Sequence, residues 1–143
     1  MISMPDDKVF IDTNIMIYAY DATAGRKHTV ACDLLTSLWE SGLGVISTQV
    51  LQEFFVNVVQ KIERPIDKKL AREIVRDFLK WNLVINDGES ILEAIDICDR
   101  YGYSFWDAMI VEAAVKGGAT VLMTEDLQHG QIIRDVRIHN PFD

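Results

Sequence analysis

Short apolar runs alternate with longer amphipathic stretches along the whole chain. The apolar runs lack the every-second-residue pattern of half-exposed strands, as is typical of strands buried on both faces of a parallel sheet. They predict five strands, at residues 8–11, 44–47, 83–86, 120–124 and 136–140. The longer stretches repeat apolar residues three and four positions apart. They predict helices at 13–21, 27–41, 48–61, 67–81, 89–101 and 104–118.

This alternation of strands and helices predicts the fold class. The connections are long enough for crossovers, so we expect an α/β protein with a central parallel sheet of about five strands, sandwiched by helices in three α/β/α layers. Two local details can be tested. Thr48 is expected to cap the helix that follows the second strand, and Leu70, Ile74 and Phe78 are expected to be the buried face of helix 67–81.

Length and composition indicate one globular domain. The 143 residues include 49% hydrophobic and 25% charged residues, with no linker, repeat or low-complexity tract. No apolar run approaches the roughly 18 residues of a membrane span, and the N-terminal MISMPDDKV lacks a signal-peptide pattern. Cys32 and Cys98 are expected to be reduced thiols rather than a disulfide. A cytoplasmic protein is therefore expected, with no membrane partner.

The net charge of −8 argues at first against a nucleic-acid partner, because Lys and Arg contacts to phosphates supply most non-specific binding energy. The conflict eases if some carboxylates hold divalent cations and so create a site for phosphate.

Several acids are placed by the predicted topology toward the same edge of the sheet. Asp12 follows the first strand, Glu53 lies early in the helix after the second, and Asp126 follows the fourth, with Glu125 beside it. Asp107 lies in the first turn of the helix that leads into that fourth strand. Ligands of parallel α/β sheets bind at the carboxyl ends of the strands.

Each acid also has a purely structural explanation. Asp12 could cap a helix, Ser104-x-x-Asp107 has the spacing of a capping box, and acids are favoured in a first helical turn. Together, however, carboxylates packed at one edge would repel one another unless a cation intervened. Mg²⁺ or Mn²⁺ prefers oxygen ligands, and no Cys/His spacing suggests zinc. Metal-assisted attack of water on a phosphodiester is the usual use of such a site.

Three segments together resemble the PIN-domain ribonucleases, and most closely the VapC-like toxins of toxin–antitoxin pairs. These segments are FIDTN (10–14), SFWDAMIVEAA (104–114) and VLMTEDLQHGQ (121–131), and the resemblance spans nearly the whole chain. It implies a single PIN-like nuclease domain over residues 1–143, acting as an endoribonuclease that leaves 5′-phosphate and 3′-hydroxyl ends.

The resemblance also assigns site residues. Matched by position, the metal-binding catalytic acids are Asp12, Glu53, Asp107 and Asp126, around one or two Mg²⁺ or Mn²⁺ ions. Thr13, Asn14 and Thr124 match polar positions that support the acids or contact phosphate. An RNA substrate, a cognate antitoxin protein and a homodimer are the implied partners.

Two acids are left open. Glu125 adjoins Asp126, and we favour Asp126 as the metal-facing acid on the family match. Glu112 lies five residues after Asp107, about 140° around a helix. It is expected to point elsewhere, although it could reach a second metal or a bridging water.

Surfaces for RNA and for the antitoxin have only weak signals. Lys68, Arg72, Arg76 and Lys80 form a basic stripe that could equally be a solvated face paired with acids, and Arg26, Lys27 and His28 are a second candidate phosphate contact. Candidates for base stacking are Tyr18, Tyr20 and Trp106. Candidates for an apolar antitoxin groove are Met16, Ile17, Phe54 and Phe55, each of which could instead be core.

Two competing functions remain. A haloacid-dehalogenase-like or receiver-like phosphotransfer protein also places Asp at strand ends, but FIDTNI lacks the second Asp of the former, and Asp6–Asp7 lies too early for the latter. A catalytically silent PIN-like module that binds RNA or protein would be expected to have lost acids, and all four are present.

Overall fold

The computed structural model describes residues 7–143. Its strands are β1 (Val9–Ile11), β2 (Gly44–Ser47), β3 (Asn82–Val84), β4 (Val121–Met123), β5 (Ile132–Ile133) and β6 (Val136–His139). Its helices are α1 (Thr13–Ala19), α2 (Arg26–Ser41), α3 (Thr48–Gln60), α4 (Lys68–Phe78), α5 (Gly88–Tyr101) and α6 (Phe105–Lys116), with a 3₁₀ turn at Ala22–Ala24.

One sheet joins all these strands in the order β3-β2-β1-β4-β6-β5. The five predicted strands are present and pair in parallel, which confirms the α/β prediction. The short β5 was not predicted and pairs antiparallel with β6. The turn between them uses Arg134 and Asp135 with φ of 48° and 68°, a left-handed conformation that Asn-Gly or Asp-Gly would have signalled in the sequence.

Two groups of helices cover the sheet. From β1 to β3 the chain moves in one direction across the sheet through α1–α4, and it then returns past β2 and β1 to β4 through α5 and α6. Right-handed crossovers therefore put α5 and α6 on the opposite face from α1–α4. Within the groups, α1 packs on α2 and α3, α3 packs on α4, and α5 packs on α6. The predicted three layers are confirmed.

The core confirms the strand pattern and corrects two helix details. Phe10 and Ile11 of β1 are fully buried, as expected for a central strand. Phe78 is buried as predicted and Ile74 is partly buried against the core, but Leu70 is 54% exposed and the neighbouring Ala71 is buried in its place. The cap of α3 is also one residue earlier than predicted.

That cap is Ser47, the last residue of β2, rather than Thr48. The Ser47 hydroxyl oxygen accepts a hydrogen bond from the Val50 backbone N at 3.2 Å. The Thr48 hydroxyl instead donates to Asn86 Oδ1 at 2.9 Å, which ties the start of α3 to the chain after β3.

The strand order creates a switch point between β1 and β4. The chain leaves β1 toward β2 on one side and later enters β4 on the other. The crevice beyond the carboxyl ends of such a strand pair is the usual ligand site in this architecture. The residues that follow β1 and β4 therefore face the same space.

Three predictions about the wider chain can also be compared. Within residues 7–143, no helix has the length and apolar character needed to cross a membrane. Cys32 and Cys98 are free thiols, which confirms that they form no disulfide with each other. Residues 1–6, which make up most of the N-terminal stretch inspected for a signal peptide and include Asp6 of the early acidic pair, lie outside the described residues.

Candidate active site

Asp12 lies at the switch point, directly after β1. Its backbone N donates to Met123 O at 3.0 Å, which fixes it against the end of β4. Its side chain is 6% exposed and accepts two hydrogen bonds, from Thr13 N to Oδ1 at 2.6 Å and from the Thr124 hydroxyl to Oδ2 at 2.7 Å. The structural explanation and the functional one therefore coexist, because Asp12 caps α1 and also faces the crevice.

Glu53 reaches the same crevice from α3. Its Oε1 accepts a hydrogen bond from the Thr13 hydroxyl at 2.7 Å. Thr13 thus links two acids, since its backbone N contacts Asp12 and its hydroxyl contacts Glu53. These contacts join the start of α1 to α3 at the edge of the sheet.

Glu125 and Asp126 follow β4 and point in different directions. Asp126 Oδ2 accepts from Asn14 Nδ2 at 2.9 Å, and its backbone N donates to the Thr124 hydroxyl at 3.1 Å. Glu125 instead pairs with Lys27 Nζ at 2.7 Å and accepts a hydrogen bond from the Tyr18 hydroxyl. Asp126 faces the crevice, whereas Glu125 is bound to a basic side chain of α2.

Asp107 approaches from the other face of the sheet. Its backbone N donates to the Ser104 hydroxyl oxygen at 3.1 Å, so Ser104 caps α6 and holds Asp107 in the first turn. Glu112, further along α6, is 7% exposed on a helix that packs against α5, and burial raises the pKa of its carboxyl. Glu112 is not part of the crevice wall.

All four predicted acids line one open cavity of about 550 Å³, together with Thr13 and Asn14. The rest of its wall consists of Ile17, Gln49, Gln52, Val56, Asn57, Lys61, Trp106 and Ile110. Thr124 lies behind the wall, fully buried, and acts on the cavity through Asp12 and Asp126. Sequence reasoning missed Gln49, Asn57 and Lys61, which the helical repeat of α3 would have placed near the face of Glu53.

The acids of the cavity are close enough for their negative charges to affect one another. Burial raises the pKa of the Asp12 carboxyl to about 7. Hydrogen bonds from Thr124 and Thr13 oppose the rise, while the negative charges of Asp126 and Glu53 add to it. In residues 7–143, no Lys or Arg forms a salt bridge with any of the four acids.

The donor set suits a hard divalent cation. It consists of carboxylate oxygens with uncompensated charge, and the buried Asn14 Oδ1 adds an oxygen that has no hydrogen-bond partner within the described chain. As the side chains are arranged, however, no three His, Cys, Asp or Glu residues in positions 7–143 are grouped closely enough to hold an ion. Asp12, Glu53 and Asp126 instead accept hydrogen bonds from hydroxyl and amide groups of neighbouring side chains.

The candidate surfaces for RNA and antitoxin need correction. Met16 and Phe54 are fully buried and cannot line a groove. Of the other two groove candidates, Ile17 belongs to the acidic cavity and Phe55 to a separate apolar groove between α3 and α4.

Some of the basic candidates are paired with acids in the structure, and one of the aromatic candidates is exposed. In the basic stripe, Arg72 and Arg76 each approach Glu73, at 3.9 and 4.0 Å. Lys27 is engaged by Glu125. Trp106 is 63% exposed, so it is not a core residue.

Comparison with known proteins adds two findings. A family model described as the PIN domain matches residues 9–134. The crystal structure of Mycobacterium tuberculosis VapC20, described as a sarcin–ricin loop cleaving toxin, is similar with a TM-score of 0.62 and 19% sequence identity, covering 80% of this chain and 87% of that chain. A search of curated proteins finds no match. At this identity the likeness to VapC20 concerns the fold, whereas the family match covers most of the sequence.

Proposed function

The chain belongs to the PIN-domain family, since the family match covers residues 9–134, and we propose that it is a Mg²⁺- or Mn²⁺-dependent endoribonuclease. The observation that supports this activity is the convergence of four acids from four separate parts of the chain on one open cavity. The buried carboxylate of Asp12 is costly to ionise, and a cation bound beside it would offset that cost.

The four acids are the proposed ligands of the metal. Asp12, Glu53, Asp107 and Asp126 would hold the ion or ions through carboxylate oxygens. Such an ion supplies Lewis acidity, which makes water a better nucleophile at neutral pH and stabilises charge on the phosphate.

The neighbouring polar residues orient the acids. Thr124 donates to Asp12, Thr13 donates to Glu53, and Asn14 donates to Asp126. Partners of this kind fix the rotamers of metal ligands and tune their basicity.

Lys61 gives the cavity wall a positive side chain near the end of α3. We assign it a contact with an RNA phosphate, where it would offset part of the negative charge of the acids. Its charge is exposed, so Lys61→Gln should weaken RNA binding more at low salt than at high salt.

The biological role that we propose is that of a toxin in a toxin–antitoxin pair, acting on RNA in the cytoplasm and held by a cognate antitoxin. The support is the fold shared with VapC20, which is described as a sarcin–ricin loop cleaving toxin. Homodimer formation stays a prediction, and light scattering of the purified protein would test it directly.

Cleavage of a labelled RNA panel tests the nuclease. Purified protein would be incubated with transfer, ribosomal and messenger RNA in Mg²⁺, in Mn²⁺ and in EDTA, beside Asp107→Asn and Glu53→Gln. We expect cleavage only with metal and a loss of about a hundredfold or more in each variant, because even outer partners of metal ligands are worth about 10- to 100-fold.

Metal binding provides a second readout that does not depend on the RNA chosen. Mn²⁺ should raise the midpoint of thermal unfolding of the wild type and raise it less in the variants. Binding of Mn²⁺ without cleavage of any RNA would favour the binding module. Equal cleavage by wild type and variants would indicate a contaminating nuclease and overturn the assignment.

A further inference from the structure

Gln49 is a buried amide with no partner. It is 7% exposed, and neither its Oε1 nor its Nε2 makes a hydrogen bond with any residue of the described chain. A buried polar group that is left unpaired destabilises a fold, so natural proteins rarely keep one without a reason. Gln49 lines the acidic cavity, which supplies such a reason if a ligand pairs with it.

Two polar side chains fix the backbone of α3 around Gln49, beside the cavity. Its backbone N donates to Asn86 Oδ1 at 3.1 Å, and the same oxygen accepts from the Thr48 hydroxyl at 2.9 Å. The first turn of α3 is therefore fixed on its outer side by Asn86 and on its inner side by the Ser47 cap. The backbone that carries the Gln49 side chain is thus held in place, and the amide itself is buried at the cavity wall.

Trp106 lines the same cavity. It lies in the first turn of α6, next to Asp107, and its ring is 63% exposed. Its aromatic neighbour Phe105 packs against it in a T-shaped arrangement, with ring centroids 5.1 Å apart and planes at 75°, and this contact still leaves most of Trp106 exposed. Exposed aromatic faces of this kind stack unpaired nucleic-acid bases.

We propose that Gln49 and Trp106 form a subsite for one unpaired nucleobase beside the acidic cluster, with Trp106 stacking on the base and Gln49 pairing with its edge. A primary amide offers one acceptor and a donor side by side, and nucleobase edges carry the complementary pair. The subsite requires an unpaired base, because a base stacked within a duplex presents no free face to Trp106 and its Watson–Crick edge is already paired. This inference rests on the proposed ribonuclease function.

Binding of a short single-stranded RNA, followed by tryptophan fluorescence, tests the subsite. Ca²⁺ would replace Mg²⁺ to suppress cleavage, and strands with one abasic position, scanned along the sequence, would show which contacts need a base. Trp39 and Trp81 pack together with Phe78 away from the cavity, so quenching should come from Trp106 and be absent in Trp106→Phe.

Variants of the two subsite residues should lose affinity for RNA, whereas a control variant outside the cavity should not. Trp106→Ala should weaken binding of the intact strand about 5- to 150-fold, the range for one stacked base, and Trp106→Phe should retain most of the affinity. Gln49→Leu should weaken binding about tenfold while leaving the unfolding midpoint unchanged or higher, because it removes an unpaired buried amide. Gln60→Leu, the same change at an exposed position of α3 outside the cavity, should bind like the wild type.

The two proposals fail in different ways. If RNA is cleaved but Gln49→Leu and Trp106→Ala bind and cleave it like the wild type, the subsite is overturned and the nuclease stands. Equal affinity of the wild type for intact strands and for every abasic strand would also overturn the subsite. If base-dependent binding and quenching occur without cleavage of any RNA in Mg²⁺ or Mn²⁺, the subsite stands and the nuclease does not.

Discussion

Replacing Asp12 with Asn should stabilise the metal-free protein while abolishing cleavage. The carboxyl of Asp12 is buried and its pKa is raised to about 7, from an ordinary 3.8. The folded protein therefore holds this proton more tightly than the unfolded chain does. As pH rises from about 4 to 7, the unfolded chain ionises first, and the wild type loses stability with each step in pH.

The size of the effect follows from the same pKa. Each tenfold difference in proton affinity corresponds to about 1.4 kcal/mol, so ionising Asp12 in the folded state costs about 4 kcal/mol above pH 7 and close to nothing at pH 4. The Asp12→Asn variant avoids this cost and keeps both contacts. Its amide oxygen can accept from Thr13 N, and its amide nitrogen can donate to the Thr124 hydroxyl, which turns to accept.

Urea unfolding in EDTA between pH 5 and 8.5 measures this difference. The gain of Asp12→Asn over the wild type should grow with pH toward about 4 kcal/mol, whereas Asp96→Asn, an exposed change on α5, should stay within about 0.5 kcal/mol at every pH. Saturating Mg²⁺ should stabilise the wild type by about 3 kcal/mol at a hundred times its Kd and the variant by much less. A gain that is absent at pH 8, or that does not change with pH, would refute the reasoning.

Three further predictions use matched pairs or single contacts. In single-turnover assays, Asp126→Asn should lower the rate of metal-dependent cleavage roughly a hundredfold or more, whereas Glu125→Gln should leave that rate unchanged. A larger loss in Glu125→Gln than in Asp126→Asn would mean that Glu125 is the metal-facing acid. Gly117→Ala should cost about 1–3 kcal/mol in urea unfolding, because a Cβ there would lie 2.6 and 2.8 Å from two core valine side chains. Gly88→Ala, where a Cβ meets nothing within 4 Å, should cost nothing, and equal losses would contradict the steric account. Ser47→Ala should cost about 1 kcal/mol through loss of the α3 cap, and an unchanged unfolding midpoint would show that the cap is replaced by other donors.

The layout of the fold could be predicted because its signals are local. Each buried strand is a short apolar run, and each acid of the cavity follows a strand or opens a helix at a fixed distance from one. Parallel topology then gathers those positions at one edge without any knowledge of side-chain contacts. The position of Asp12 at that edge is the clearest example.

The errors arise where a side chain's partner lies far away in sequence. Leu70 is the larger apolar residue and so is predicted in the core, yet α4 is rotated so that the smaller Ala71, one position on, packs inward. Glu125 could not be separated from Asp126, because its orientation depends on Lys27, 98 residues away. The helical repeat places Gln49 near Glu53, but a pattern of residue types does not reveal that its amide is left without a partner.

The opposed directions of Glu125 and Asp126 limit how this loop can change in length. The two side chains are consecutive, and each is tied to a different helix, Glu125 to α2 through Lys27 and Asp126 to α1 through Asn14. Inserting or deleting one residue after Thr124 would exchange their directions and break both ties at once. In contrast, the segment from 61 to 67 between α3 and α4 lies largely exposed. Natural variation in chain length should therefore accumulate there, and the loop after β4 should keep its length wherever the cavity is used.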